Sequence, residues 1–430
     1  MKFRYSLFLV PCILFILASC SVSRQISKKA GSILLNDTAI STGHIGISIY
    51  EPATNKYWYN YNATKYFIPA SNTKLFTLYA GMKYLGDSLV GLRYEIENDS
   101  NIHIQPTGDP TFLNGEFLIQ PARSFISRYK NIKVANLFSQ PNPLGRGWAW
   151  DDYKESYMAQ RSNLPLYANL IKIKKIGYKF SVIPSTINYV IPEHTDLEKG
   201  FDIIKYWGNN DIYITSGTNQ SLSIPFTPNA TDIINMLTDT LHLNFAPDID
   251  FTGILKNKIL SQPSDSLFKP MMHRSDNFYA EQTLLMASNE HLGYMNDEKI
   301  IDTLLKLELK DVPQRPKWVD GSGLSRYNLF TPQSFIYILN KMKNEFGWER
   351  IKNILPTGGT GTLVSYYKKE SGFIYAKTGT LSNNCALSGY LITKKGKFLL
   401  FSVLANNYST GATPVRKAVE QFLVGIRENY

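Results

Sequence analysis

Apolar strand patterns stand at both ends of this chain, with helical patterns between them. His44 to Tyr50 reads HIGISIY and sets Ile45, Ile47 and Ile49 at period two, the spacing of a strand. Residues 56–62 (KYWYNYN) give a second, aromatic strand after the turn-like Pro52-Ala53-Thr54-Asn55. Near the other end, Ile374–Thr378, Ala386–Thr393 and Lys397–Ala405 read as strands, and Lys394-Lys395-Gly396 between the last two suits a hairpin. Helical spacing appears in Leu75, Leu78, Tyr79, Met82 and Leu85, opened by Pro69 and stopped by Gly86. It returns around Asn277–Ser288, Asp297–Leu307 and Pro332–Glu345, and Pro414 opens a last amphipathic helix to about Ile426. Such an order asks the two ends to meet in one antiparallel sheet flanked by helices, an α+β fold.

From about 90 to 265 the character changes. Short strand-like runs (Ile102–Ile104, Tyr178–Ile183, Asp211–Thr215) alternate with Pro, Gly and Asn, and an aromatic-acidic stretch, GWAWDDY, covers Gly147 to Tyr153. The expected division is one domain made of 41–90 and 266–430, with a β-rich insertion at 91–265.

The first residues have the form of an export signal. Lys2 and Arg4 precede a short apolar run, Leu7 to Leu17, which ends in Leu17-Ala18-Ser19-Cys20. This pattern is similar to a lipoprotein lipobox. It gives a signal peptide at 1–19, lipidation at Cys20, a membrane anchor through that lipid, and a tether at 20–40. The catalytic part is then exported to the periplasm or cell envelope, and a chain beginning near Lys28 is expected to stay active. With only Cys12, Cys20 and Cys385 available, a disulfide scaffold and a Cys-rich zinc site are excluded. The six His include no HExxH, and no metal or cofactor is expected. A net charge of +11 suits an anionic polymer, though a solvated Lys-rich surface is the commoner reason for such a charge. No basic block carries interleaved aromatics, so nucleic acid is not an expected partner.

Three short motifs carry chemistry. Ser71-Asn72-Thr73-Lys74 is an S-x-x-K, Ser275-Asp276-Asn277 an S-D-N, and Lys377-Thr378-Gly379-Thr380 a K-T-G-T. S-x-x-K recurs at Ser127, Ser266 and Ser365, whereas only Ser71 stands at the head of a helical pattern. Positions i and i+3 share a helix face, so Lys74 can reach the Ser71 hydroxyl and serve as its base once its pKa falls. The helix N-terminus and Lys377 would both disfavour its ammonium form. Ser275 and Asn277 can relay a proton and hold the substrate amide. The K-T-G strand offers an edge to an extended peptide, and Lys377, Thr378 and Thr380 can bind an anionic terminus. The N–H groups of Ser71 and Thr380 would form an oxyanion hole. Read structurally instead, Ser71 and Ser275 merely cap helices and Lys377 is a solvated strand residue.

The ordered trio resembles the class C low-molecular-mass penicillin-binding proteins, the D-alanyl-D-alanine carboxypeptidase/endopeptidase family related to serine β-lactamases. IPASNTKLFT (68–77), GDPTF (108–112), GWAWDDY (147–153), SDNFYAEQTLL (275–285), DGSGLSRYNLFTP (320–332) and LPTGGTGTL (355–363) resemble further stretches of that family, so the likeness runs from about 44 to 426. It implies a serine β-lactamase/DD-peptidase-like fold and a serine DD-peptidase acting on peptidoglycan stem peptides through an acyl-enzyme on Ser71. Lys74, Ser275, Asn277 and Lys377 would be catalytic, Thr378, Gly379 and Thr380 substrate-binding, and β-lactam antibiotics covalent inhibitors. Two departures stand out: the interval from Ser71 to Ser275 is shorter than the family's two-domain insertion, and Thr380 replaces a common Ser while keeping the hydroxyl.

Two rival readings differ in outcome. A β-lactamase of the class A type would carry an E-x-x-L-N segment between Asn277 and Lys377, and none is present. A silent lipoprotein that only binds wall peptide would have no need of intact Ser71, Lys74, Ser275, Asn277 and Lys377.

Overall fold

An inner strand of the main sheet is β1 (His44–Glu51), whose residues are buried on both faces after His44. With β2 (Lys56–Tyr61), β3 (Ile374–Leu381), β4 (Asn384–Ile392) and β5 (Phe398–Asn406) it forms a five-stranded sheet in the order β3-β4-β5-β1-β2. Every pairing is antiparallel, and β1 on β5 joins the two ends of the chain, Ile47 opposite Val403. The structure, a computed structural model, describes residues 22–430. The leader and Cys20 lie outside the described residues.

The alternation of side chains sorts two cores. Ile45, Ile47, Ile49, Phe401 and Val403 face one side, against a helix over 22–30 (α1) and the last helix, α8 (Ala412–Asn429). Tyr50, Leu400 and Leu404 face the other, with α2 (Lys74–Tyr84), α3 (Ser264–His273), α4 (Asn277–Leu292), α5 (Asp297–Lys306), α6 (Pro332–Phe346) and α7 (Trp348–Ile354). Helices therefore cover both faces of an antiparallel sheet, the α+β arrangement expected. The serine helix, α2, is enclosed on all sides: Lys74 to Met82 are all buried.

Ser88 to Pro263 make up the insertion. Its strands form a mixed five-stranded sheet and two three-stranded sheets, with a separate apolar core. Strand Asn131–Ala135 pairs in parallel with both its neighbours, Asn101–Pro106 and Asn244–Asp248, a register that no hairpin signal announces.

The tether expected at 20–40 is corrected over its described part. Residues 22–30 are helical and Gly31–Leu35 continue as a π-helical turn. Ile26, Ala30 and Leu34 are fully buried in the core shared with α8. Their four-residue spacing is a helix stripe, and it docks because α8 leaves an apolar face uncovered. Starting the chain at residue 36 should lower the melting temperature by about 5 °C or more, since each fully buried Ile or Leu contributes roughly 1.5–3 kcal/mol. Calorimetry against a chain beginning at residue 22 measures this. An unchanged melting temperature would restore the tether.

Candidate active site

Ser71 lies in a single 3-10 turn, Ala70–Thr73, that leads directly into α2. The turn matters because 3-10 geometry has three residues per turn, which places residue i+3 directly over residue i. Lys74 thus stands over Ser71, and its Nζ donates to Ser71 Oγ at 3.0 Å. Nζ also donates to Asn277 Oδ1 at 2.7 Å and to the Ser322 carbonyl at 2.6 Å. An ammonium has three protons, and all find acceptors here. Among the four S-x-x-K pairs, Ser71–Lys74 alone is hydrogen-bonded within the described residues.

The S-D-N segment is shaped by a helix cap. Asp276 caps α4 by accepting from the Tyr279 N–H at 2.9 Å, and Ser275 before it takes a left-handed φ of 63°. Asn277, the first residue of α4, sends Oδ1 to Lys74 and donates through Nδ2 to the Tyr157 carbonyl at 3.2 Å. Lys377, on β3, donates to Ser275 Oγ and to the Thr378 carbonyl, both at 2.8 Å. The structure thereby gathers these residues as two hydrogen-bonded sets, Ser71 with Lys74 and Asn277, and Lys377 with Ser275, joined through the backbone of the S-D-N segment. Thr378, Gly379 and Thr380 continue β3 alongside the serine turn.

Two glycines let the backbones come this close. A Cβ on Gly379 would sit 2.5 Å from the Pro69 carbonyl oxygen and 3.1 Å from the Ser71 nitrogen. A Cβ on Gly323, whose φ is 80°, would meet the Ala70 carbonyl oxygen at 1.9 Å. β3 and the loop 320–325 therefore grip the serine turn from two directions, backbone against backbone.

Burial sets the electrostatics. It brings the Lys74 amine down to about 8, while the carboxylates of Asp320, Glu281 and Asp276 pull the other way. Burial, with the Lys74 charge added, holds Lys377 well below the usual lysine range. The expectation that Lys377 and the helix N-terminus would lower Lys74 is thus replaced: desolvation does it, and the mutual repulsion falls on Lys377. Glu281 is itself pushed up by burial and by Asp320, with Arg161 opposing. A serine hydroxyl at hydrogen-bond distance from an amine that titrates near neutrality can lose its proton to that amine.

Several participants escape sequence reasoning. The Ser322 carbonyl is a backbone acceptor and has no residue signature. Asp320 organises its loop by accepting from the N–H groups of Gly323 and Ser325, from Asn328 Nδ2 and from Trp148 Nε1. Glu281 accepts from the Ser322 N–H at 2.7 Å. The stretch DGSGLSRYNLFTP signals that the loop is used, but not for what.

Gly379→Ala should slow acylation by about 100-fold, the scale of a misplacement near 1 Å, and lower the melting temperature, because the added Cβ meets backbone atoms that must shift. Stopped-flow acylation by a chromogenic β-lactam measures it. A near-normal rate would mean that the close approach of β3 is dispensable.

The family model described as D-Ala-D-Ala carboxypeptidase 3 (S13) matches residues 27–181 and 251–430. The chain is 25% identical over 406 residues to the D-alanyl-D-alanine carboxypeptidase DacB of Haemophilus influenzae, spanning 82% of this chain and 83% of that one. It is 23% identical over 459 residues to the penicillin-sensitive carboxypeptidase A of Dictyostelium discoideum, spanning 87% and 85%. The crystal structure of penicillin binding protein 4 (dacB) from Haemophilus influenzae superposes with a TM-score of 0.72 at 20% identity, over 94% of this chain and 99% of that one, and shares its fold. The family match takes in both halves of the split domain and every segment of the site above, and the chain belongs to the D-Ala-D-Ala carboxypeptidase 3 (S13) family of serine peptidases.

Proposed function

We propose that this chain is a serine-type D-Ala-D-Ala carboxypeptidase of peptidoglycan stem peptides, with Ser71 as the acylated nucleophile. One observation carries the reading: three motifs far apart in sequence meet, with Lys74 Nζ 3.0 Å from Ser71 Oγ and 2.7 Å from Asn277 Oδ1, and Lys377 Nζ 2.8 Å from Ser275 Oγ. Lys74, when neutral, takes the hydroxyl proton as Ser71 attacks the carbonyl between the two terminal D-alanines. The N–H groups of Ser71 and Thr380 receive the developing oxyanion. Ser275, held by Lys377, returns a proton to the leaving amine, and Asn277 holds the substrate amide. The peptide adds to the edge of β3 along Thr378, Gly379 and Thr380. Water then frees the acyl-enzyme. The same site cuts a D-Ala cross-link when the leaving amine belongs to a second stem peptide. A β-lactam presents the same acyl group in a ring, so it acylates Ser71 and is released slowly. The enzyme works in the cell envelope, and the LASC sequence supports anchoring through lipid on Cys20.

Ser71→Ala should abolish covalent labelling by a fluorescent penicillin and lower turnover by up to about 10⁶-fold. An adduct that persists and maps to Ser127, Ser266 or Ser365 overturns the assignment. Rapid turnover of the penicillin by the unaltered chain would favour a β-lactamase, and no labelling at all a silent binder.

The base is tested by pH. Lys74 is active when neutral, and its amine is brought down to about 8. The acylation rate should therefore rise with pH through about 8 and level off above it, roughly a tenth of the maximum being reached at pH 7. Lys74→Arg should nearly abolish acylation, because a guanidinium stays charged. A near-normal rate for that variant removes Lys74 as the base.

A further inference from the structure

A free tether of about twenty residues would let the catalytic domain range up to roughly 70 Å from a lipid on Cys20. The helix α1 removes that reach. It is present from Val22, and Ile26, Ala30 and Leu34 fix it in the core beside α8. Only Ser21 separates Val22 from Cys20, a span of at most about 7 Å. The surface around Val22 is therefore the one that meets the headgroups of the membrane holding the lipid.

That surface is basic and aromatic. Val22 lines a groove of about 320 Å³ together with Lys56, Tyr57, Trp58, Lys395 and Lys397. The three lysines are exposed, and so is Tyr57. Glu51, buried beneath them, is paired with Lys397 at 3.0 Å. Among the described residues no Asp or Glu oxygen lies within 4.0 Å of the Lys56 or Lys395 amine. From Val22 to Leu35 the chain carries Arg24, Lys28 and Lys29 and no acidic residue. Arg24 and Lys28 stand exposed one turn apart, so α1 turns its apolar stripe to the protein and a basic face outward. Lysines beside Tyr and Trp are the side chains that settle at an anionic headgroup layer.

We infer that this face, built from α1, the start of β2 and the hairpin between β4 and β5, rests on an anionic phospholipid surface and sets the orientation of the enzyme on its membrane. The inference rests on the reading of Cys20 as lipidated. The catalytic strand lies at the opposite corner of the sheet. β2 and β3 are its two edges, four strand spacings apart. Lys56 pairs with Glu51 at one end of β1, whereas Thr380 is level with Ile45 near the other, through Cys385 and Ala405. The diagonal between them is on the order of 25 Å. The edge of β3 that receives peptide is thus carried off the bilayer, open to wall polymer while the lipid contacts hold.

The first measurement uses the full lipid-bearing chain in vesicles of phosphatidylglycerol and phosphatidylcholine. A polarity-sensitive fluorophore is attached at Tyr57→Cys or at Tyr327→Cys, both exposed positions, the second just past the loop 320–325. The native Cys385 is buried. The label at residue 57 should shift to the blue and be quenched by spin-labelled headgroups, and the label at residue 327 should do neither. Ala53→Cys, exposed in the turn before β2, takes the place of Tyr57→Cys should that variant melt early. The second measurement uses a chain beginning at residue 22, without lipid. It should bind the anionic vesicles and not phosphatidylcholine alone. Lys56→Gln and Lys395→Gln should each weaken that binding about fivefold and leave β-lactam acylation unchanged. Equal quenching at both positions, none at either, or binding that ignores headgroup charge or both substitutions overturns the inference. So does lysine-dependent binding to isolated cell wall with none to vesicles. Mass spectrometry of the mature N-terminus separates the failures. An unlipidated Cys20 removes the anchor and the inference with it, whereas a lipidated Cys20 with an unquenched label at residue 57 overturns the inference alone.

Discussion

An amine without exposed surface holds this site together. Removing an ammonium from water costs several kcal/mol after relaxation, unless each proton finds an acceptor and a counter-charge stands near. Lys74 meets both conditions only because three remote segments converge on it: the serine turn, the start of α4 and the loop 320–325. Their convergence needs backbones in contact, and Gly379 and Gly323 are where a side chain would push them apart. The same burial that demands this precision also brings the amine into the range where it can accept a proton at physiological pH. Structure and chemistry here have one cause.

The insertion is fastened to that arrangement. Tyr157 accepts from Asn277, Trp148 donates to Asp320, and Arg161, itself buried, bridges Glu281 and Asp297. The middle of the insertion, 182–250, falls outside the family match, while the stretch that carries Trp148, Tyr157 and Arg161 falls inside it. Its proximal part supplies the serine site with an acceptor, a donor and a buried charge, and the distal part shares one core and two of the three sheets with it.

Legibility in the sequence followed the range of the interaction. The S-x-x-K pair is local, so its geometry could be argued from spacing, and the 3-10 turn only sharpened it. The sheet closed by both ends was legible because β1 and the strands β3 to β5 each carry their own pattern. The helix at 22–30 was hidden because its burial depends on α8, nearly four hundred residues away, and Ser27, Lys28, Lys29 and Ser32 between Ile26, Ala30 and Leu34 read as a polar linker. The helix Ser264–His273 was missed because Pro270 inside it breaks the expected pattern. Asp320 and Glu281 were missed as tuning groups because a carboxylate's burial is a property of packing. The Ser322 carbonyl was invisible because any residue could have supplied it.

The two lysines of the site are alike in burial and unlike in company. Lys74 lies near Asp320, Glu281 and Asp276, which favour its ammonium and partly offset desolvation. On Lys377 burial acts first and the repulsion of Lys74 adds to it, holding the amine well below the usual lysine range. Two amines this close share protons as a pair, so a charge arriving at one changes the other. The asymmetry between them lies in their surroundings: Asp320, Glu281 and Asp276 act on Lys74, while burial and the Lys74 charge act on Lys377.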